Sequence, residues 1–428
     1  MKPLLAVVAA FAFLLPAAHA QQREAVSEAA HGGEREGTVV DGTTNAPLAG
    51  AVVTVGEKTV LTDAQGHFRA AAGPLPLQVR LAGYRREAIA ATDSNPQTIR
   101  LTPLLPKALY LTVYGIGAPF LRDPAIDVID KSKLNSLVID LKGDRGLIPY
   151  PSAVPLAAKA GALKLRTIPD LKELASSLKA KGLYLIARIV VFKDDPLVAL
   201  RPDWAVRTTG GGIWKDREGL SWIDPFKKEA WDYTLGVAEE AAAAGFDEIQ
   251  FDYVRFPDSV GVAFSQASTE ASRVETINAF LREARRRLVP YNVFLAMDMF
   301  GYVCWNRNDT GIGQRVEDLA TVVDYISPML YPSGFQFGIP GYRNPVQNPY
   351  EIVYKSLEEC KSRTVGTAVR YRPWLQAFPD YAFGGQNFGA DEIGKQIKAS
   401  RDAGTVGWML WNPRNVYSTN DIKAEASR

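Results

Sequence analysis

Apolar and polar positions repeat with two different periods along this chain, and the period changes near residue 103. From 35 to 103 the apolar runs are short. The stretches "GTVVD", "AVVTV", "KTVLT", "HFRAA", "LQVRLAGY" and "QTIRL" alternate with period two, between turn-forming stretches such as "DGTTNAPLAG" and "DAQG". That is the pattern of strands in a small all-β sandwich. Gly50 and Gly66 fall where the chain must reverse, positions that favour a positive φ. After "PLLPK", a stiff proline-bearing linker, eight near-continuous apolar runs take over, at 108–117, 134–144, 183–194, 246–256, 292–303, 323–332, 372–381 and 405–413. Segments with a helical period lie between them, among them "IPDLKELASSLKAKG", "ETINAFLREARRRL" and "ADEIGKQIKASRDAG". Eight such strands with intervening helices predict an α/β fold, a (β/α)8 TIM barrel over 104–428. An open doubly wound sheet fits less well, because no Gly-rich turn follows the first strand.

The first twenty residues have a different character. Lys2, the apolar run "LLAVVAAFAFLLPAA" and the small-x-small "AHA" before Gln21 read as a secretory signal peptide over 1–20. A polar leader follows over 21–34. No Cys follows the cleavage point for a lipid anchor, and no later run is apolar and long enough to span a bilayer. The expectation is an exported protein, periplasmic or extracellular, with no membrane insertion after cleavage.

Composition narrows the chemistry. A formal net charge of +2 gives no reason to expect a nucleic-acid partner. Cys304 and Cys360 either pair or remain two buried thiols, and the sequence leaves both open. Of the three histidines, His19, His31 and His67, none lies beyond residue 67. A Ser-His-Asp triad, a Cys-His pair and a His-ligated metal are thereby excluded from the large domain. No CxxC pair or Gly-rich phosphate loop is present either, so no metal and no cofactor are expected. Proton transfer in the barrel falls to Asp, Glu, Tyr or Lys.

Barrel enzymes build their sites at the C-terminal ends of the strands. In chain order, those ends supply Tyr114; Asp140, Lys142, Asp144 and Arg145; Arg188 and Asp194; then Asp252, Tyr253 and Arg255. Asp298, Tyr331, Gln376 with Asp380, and finally Trp408, Trp411 and Asn412 complete the set. Acids, hydroxyls and indoles suit a carbohydrate, whose C–H faces stack on aromatic rings and whose hydroxyls pair with carboxylates and amides. Hydrolysis of a glycosidic bond requires two carboxyl groups and no histidine.

Two resemblances extend this reading. "GTVVDGTTNAPLAGAVVTV…TDAQGHFRA…LAGY" resembles the carboxypeptidase regulatory-like module, a prealbumin-like β-sandwich. Such modules pack or orient a neighbour, which makes His67 a turn-adjacent side chain. "FDYVRFP", "DLKGDRG", "SPMLYPS" and "GWMLWNPRNVY" resemble a family of barrel proteins assigned to the glycoside hydrolases by inference. That resemblance implies a class of reaction and no particular sugar, and it is similar more distantly to barrel glycosidases whose nucleophile ends strand four.

Asp252 is accordingly the candidate nucleophile or base, with Arg255 nearby to keep it ionised. Asp298 is the candidate acid, because Met297, Met299 and Phe300 around it would raise its pKa. Asp140, Lys142, Asp144, Tyr253, Arg255, Tyr331, Gln376, Trp408 and Trp411 are candidate substrate contacts. Trp214 and Trp222 join them from the long connection at 201–225. Lys142 also raises a Schiff-base reaction, disfavoured because alternation would set it beside Asp140 and Asp144. The alternative from another class is a glycan-binding barrel without catalysis. The sequence does not indicate oligomeric state, sugar or linkage.

Overall fold

The computed structural model describes residues 33–90 and 96–423. The signal-peptide reading at 1–20 lies outside the described residues, as does the leader except for Gly33 and Glu34. The N-terminal unit consists of two sheets over one core. In the first, Glu34–Asp41 lies between the antiparallel His67–Ala71 and the parallel Gln97–Leu101. The second is antiparallel, in the order Lys58–Leu61, Val52–Val55, Leu77–Arg80, Glu87–Ile89. Val39, Phe68 and Ile99 from one sheet meet Val53, Leu77 and Val79 from the other. Gly66 is obligatory in its turn: φ is +76°, and an added Cβ would lie 2.5 Å from the Val39 carbonyl oxygen.

The eight barrel strands are all parallel: β1 (Lys107–Leu111), β2 (Ser136–Lys142), β3 (Tyr184–Val190), β4 (Glu248–Asp252), β5 (Phe294–Phe300), β6 (Tyr325–Met329), β7 (Trp374–Gln376) and β8 (Trp408–Trp411). Neighbouring pairs close the ring, β8 on β1 and β5 on β6 included. The seventh strand is shorter than the apolar run at 372–381 predicts. Pro373 offers no N–H to a ladder, so Arg370–Tyr371 and Trp374–Gln376 pair as separate pieces.

Alternation sorts the side chains into two cores. Leu137, Ile139 and Leu141 of β2 pack outward under the helices, while Val138 packs inward with Tyr110, Ile186, Ala296, Trp374 and Met409. Helices such as Leu171–Ala180 and Glu270–Leu288 cover the outer face; Asp170 and Thr269 cap their first turns through side-chain oxygens. Cys304 and Cys360 are disulfide-bonded, joining the turn after β5 to the helix Pro349–Arg363. No helix among the described residues is long and apolar enough to cross a membrane.

The sandwich is seated against the N-terminal ends of the barrel strands. Arg86 donates to Asp247 Oδ1 at 3.1 Å and to the Phe246 carbonyl at 2.9 Å, just before β4. Gly83 N donates to Tyr325 Oη at 3.0 Å, and Arg80 to Asn292 Oδ1 at 3.3 Å. Packing there leaves the opposite rim, at the C-terminal strand ends, uncovered by the module.

Candidate active site

Four charged residues converge at the rim because each occupies an inward position near the end of its strand: Asp140 on β2, Arg188 on β3, Asp252 on β4 and Asp298 on β5. All four are buried. Arg188 ties them together. Its Nη1 donates to Asp140 Oδ1 at 2.7 Å, and its Nε and Nη2 donate to Asp252 Oδ2 at 3.0 and 2.5 Å. Nη2 also reaches Asp144 Oδ1 at 3.1 Å, from a carboxylate one-third exposed. The guanidinium lies 4.8 Å from the Trp411 ring and 5.6 Å from that of Tyr110, and those two rings stack at 4.0 Å. Aromatic faces and three carboxylates favour the cation, and they hold Arg188 well above its usual range despite burial.

Asp298 differs from the other acids. Trp374 Nε1 donates to its Oδ1 at 2.7 Å, while Oδ2 is buried and without a hydrogen-bond partner, 3.8 Å from Arg188 Nε. Burial pushes this carboxyl well above the usual carboxylate range, and the nearby Asp252 charge pushes it further. That shift favours the neutral form of the Asp298 carboxyl. Asp252 and Asp298 both approach the same nitrogen, at 3.0 and 3.8 Å, so their nearest oxygens are no further apart than those distances combined. That lies inside the limit of roughly 10 Å for two carboxyl groups acting on one glycosidic bond.

Asp140 is raised as well. Burial lifts it to about 6 against the pull of Arg188, and Tyr110 Oη donates to its Oδ2 at 2.6 Å. Tyr253, next after Asp252, has φ +50°, a conformation rare for a bulky residue. The reversal folds its N–H back onto Asp252 Oδ1 at 2.6 Å, fixing that carboxylate from the main chain.

The structure brings Asp140, Asp144, Asp252, Asp298, Tyr253, Tyr331 and Trp411 to the mouth or just beneath it. Other expectations are corrected. Lys142 does not face the mouth: a register shift between β2 and β3 breaks the alternation after Asp140. Its ammonium is buried on Asp194 Oδ2 at 2.8 Å and the Val190 carbonyl at 2.7 Å, beneath the Tyr233 ring. Trp408 packs outward in the core under the helices, one position out of phase with Trp411. Arg255 is not the partner of Asp252; its guanidinium lies over the rings of Trp222 and Tyr253 at 5.0 and 5.4 Å.

Trp222 is buried, with Nε1 on Asp216 Oδ2 at 3.0 Å, and Trp214 packs edge-on against it, so the pair shapes the 201–225 connection. Gln376 is fully buried and bonds Ser333 and the Phe378 carbonyl, which makes it a support for two loops. The sequence reading assigned no role to Arg188, Tyr110 or Trp374. For Arg188 the signal was visible: a cation in the otherwise apolar run of β3. Among the described residues no group of three or more His, Cys, Asp or Glu is placed to hold a metal ion.

Comparison with known proteins agrees with the architecture. The family model described as "Putative glycosyl hydrolase domain" matches residues 108–417. The glycoside hydrolase domain of PgaB (BpsB) from Bordetella bronchiseptica is 16% identical over 76% of this chain and 98% of that chain, with a TM-score of 0.54, a likeness of fold. A hypothetical protein from Ruminiclostridium thermocellum ATCC 27405 is 35% identical over 44% of this chain and 96% of its own, with a TM-score of 0.40. The glycoside hydrolase domain of PelA from Pseudomonas aeruginosa is 14% identical over 73% of this chain and 95% of that chain, with a TM-score of 0.42. No curated protein sequence matches the chain.

Proposed function

The chain belongs to the family described as "Putative glycosyl hydrolase domain", and from that membership we propose that its barrel hydrolyses an O-glycosidic bond of an oligo- or polysaccharide. Asp298 is the proton donor and Asp252 the nucleophile or base. One observation carries the reading: a fully buried carboxyl, its neutral form favoured by burial and one of its oxygens unpartnered, shares Arg188 with an ion-paired carboxylate. Two acids held in different protonation states by their surroundings are what general-acid hydrolysis requires. Arg188 positions Asp252 through Oδ2, while the Tyr253 N–H holds Oδ1. Asp144 and Trp411, both partly exposed beside Arg188, are the proposed contacts for a sugar ring, together with Asp140 and Tyr331.

Complete burial of Asp298 favours a second reading, a glycan-binding barrel that performs no turnover. Asp252→Asn and Asp298→Asn, assayed against a panel of oligosaccharides, separate the two. Catalysis predicts that each loses about 10²–10⁴-fold in turnover while retaining binding. Wild-type turnover in either variant rules out the role assigned to that residue. Turnover absent from the wild-type protein, with binding intact, selects the second reading.

Export to the periplasm or beyond belongs to the same proposal, supported by the signal-like N-terminus and by the Cys304–Cys360 bond. The sandwich is proposed as a carboxypeptidase regulatory-like module that braces the barrel floor through Arg80, Gly83 and Arg86 and takes no part in the chemistry.

A further inference from the structure

The loop after β7 is exposed, yet it is held rigidly. Buried Asp380 accepts four hydrogen bonds, three of them from within the loop: Oδ1 from Ala382 N at 3.0 Å, Oδ2 from Phe383 N at 2.7 Å and Gly385 N at 3.0 Å, and Oδ1 again from Ser333 Oγ at 2.7 Å. Gln376 adds a second tie, donating from Nε2 to Ser333 Oγ at 2.7 Å and to the Phe378 carbonyl at 3.1 Å. Ser333 lies in the turn after β6, so the loops that follow β6 and β7 form one unit.

Three rings stand on that unit in a row. Tyr331 meets Phe378 edge to face at 5.4 Å, and Phe378 lies parallel to Tyr381, 6.2 Å away with planes 9° apart. At the inner end, Tyr331 packs against the inner core that contains Trp374, whose Nε1 donates to Asp298 Oδ1 at 2.7 Å. At the outer end, Tyr381 is 63% exposed. A ring fixed in water by a buried carboxylate does little for its own fold. Flat, preorganised and continuous with the acids, it fits the C–H face of a pyranose.

We infer that Tyr331, Phe378 and Tyr381 form an aromatic track for successive sugar rings leading outward from the acid pair, so the ligand is a saccharide chain with more than one ring on that side of the bond cleaved. The inference rests on the glycosidase reading and adds to it a chain-length requirement and two residues, Phe378 and Tyr381.

The test uses the full chain with end-labelled oligomers of glucose, of N-acetylglucosamine and of mannose, two to six rings long. Tyr381→Ala is compared with Tyr381→Phe, which keeps the ring; thermal melts confirm that both fold, as expected for an exposed position. Tyr381→Ala lowers kcat/KM for the longest substrate by about tenfold, leaves the shortest within about twofold, and Tyr381→Phe behaves as wild type. A loss equal at all lengths, or no loss at hexamer length, overturns the track while the glycosidase reading stands. Failure of the wild-type protein to bind or cleave any oligomer overturns both.

Discussion

Replacing Arg188 by methionine keeps most of the stem volume and removes the one cation that three rim carboxylates share. The guanidinium donates four hydrogen bonds, two to Asp252 and one each to Asp140 and Asp144. Asp144 is partly exposed and its bond is screened, so the cost falls on the two buried partners. Breaking a buried pair from one side costs about 3–5 kcal/mol. The size of that cost should depend on pH. A buried carboxyl with a raised pKa stabilises the fold in its neutral form: its contribution is full below the unfolded-state value of about 3.9 and is lost as pH climbs to the folded-state value. For Asp140 in the wild-type protein that loss is complete near the folded value of about 6. Without Arg188 it continues above 6, at about 1.4 kcal/mol per pH unit for each proton retained.

The penalty for Arg188→Met therefore grows by about 2–3 kcal/mol between pH 6 and pH 8 for one retained proton. Urea denaturation followed by tryptophan fluorescence measures it cleanly, because all eight tryptophans lie beyond residue 203, in the barrel. A penalty independent of pH, or below about 1 kcal/mol at pH 8, refutes the assignment of Arg188 as the shared counter-ion.

Trp374→Phe removes the donor on Asp298 Oδ1, a bond that favours the charged form. The alkaline limb of the kcat–pH profile should move upward by about one unit; an unmoved limb separates that limb from Asp298. Trp408→Leu should lower the melting temperature and leave KM unchanged, while Trp411→Ala should raise KM, since only the second ring faces the mouth; the reverse result would mean that the two faces of β8 are exchanged. Lys142→Met leaves Asp194 buried without its cation and should cost about 3–5 kcal/mol of barrel stability. Adding Asp194→Asn, which removes the charge and keeps a cap for Leu197 N, should recover most of it; denaturation of the double variant at the level of Lys142→Met alone would contradict the pairing.

How much of this was legible in the chain depended on whether the information was local. Strand and helix periods are local, and the eight parallel strands follow from them. So do Asp140, Asp252 and Asp298, because inward positions recur every second residue and all three fall on regular stretches. Lys142 was misread where that regularity failed, at a bulge that only the pairing of β2 with β3 reveals. Trp408 was misread because β8 begins just after Gly407, and parity cannot be counted before the start of a strand is known. The choice of Arg255 over Arg188 has a different cause. Three residues along the chain suggests contact, whereas the register of β3 on β4 sets Arg188 opposite Gln250, one inward position below Asp252, with a stem long enough to reach it. Cys304 and Cys360 are 56 residues apart and meet only because a helix returns to the turn after β5.

The account depends most on Asp298 being a carboxyl that holds a proton at rest. Infrared difference spectroscopy of the wild-type protein against Asp298→Asn at neutral pH, with no substrate added, addresses that directly. A carbonyl stretch of a neutral carboxylic acid should be present in the wild-type protein and absent from the variant. Loss of a carboxylate band instead, with no neutral carboxyl removed, would show Asp298 ionised at rest and would leave the barrel without its proton donor.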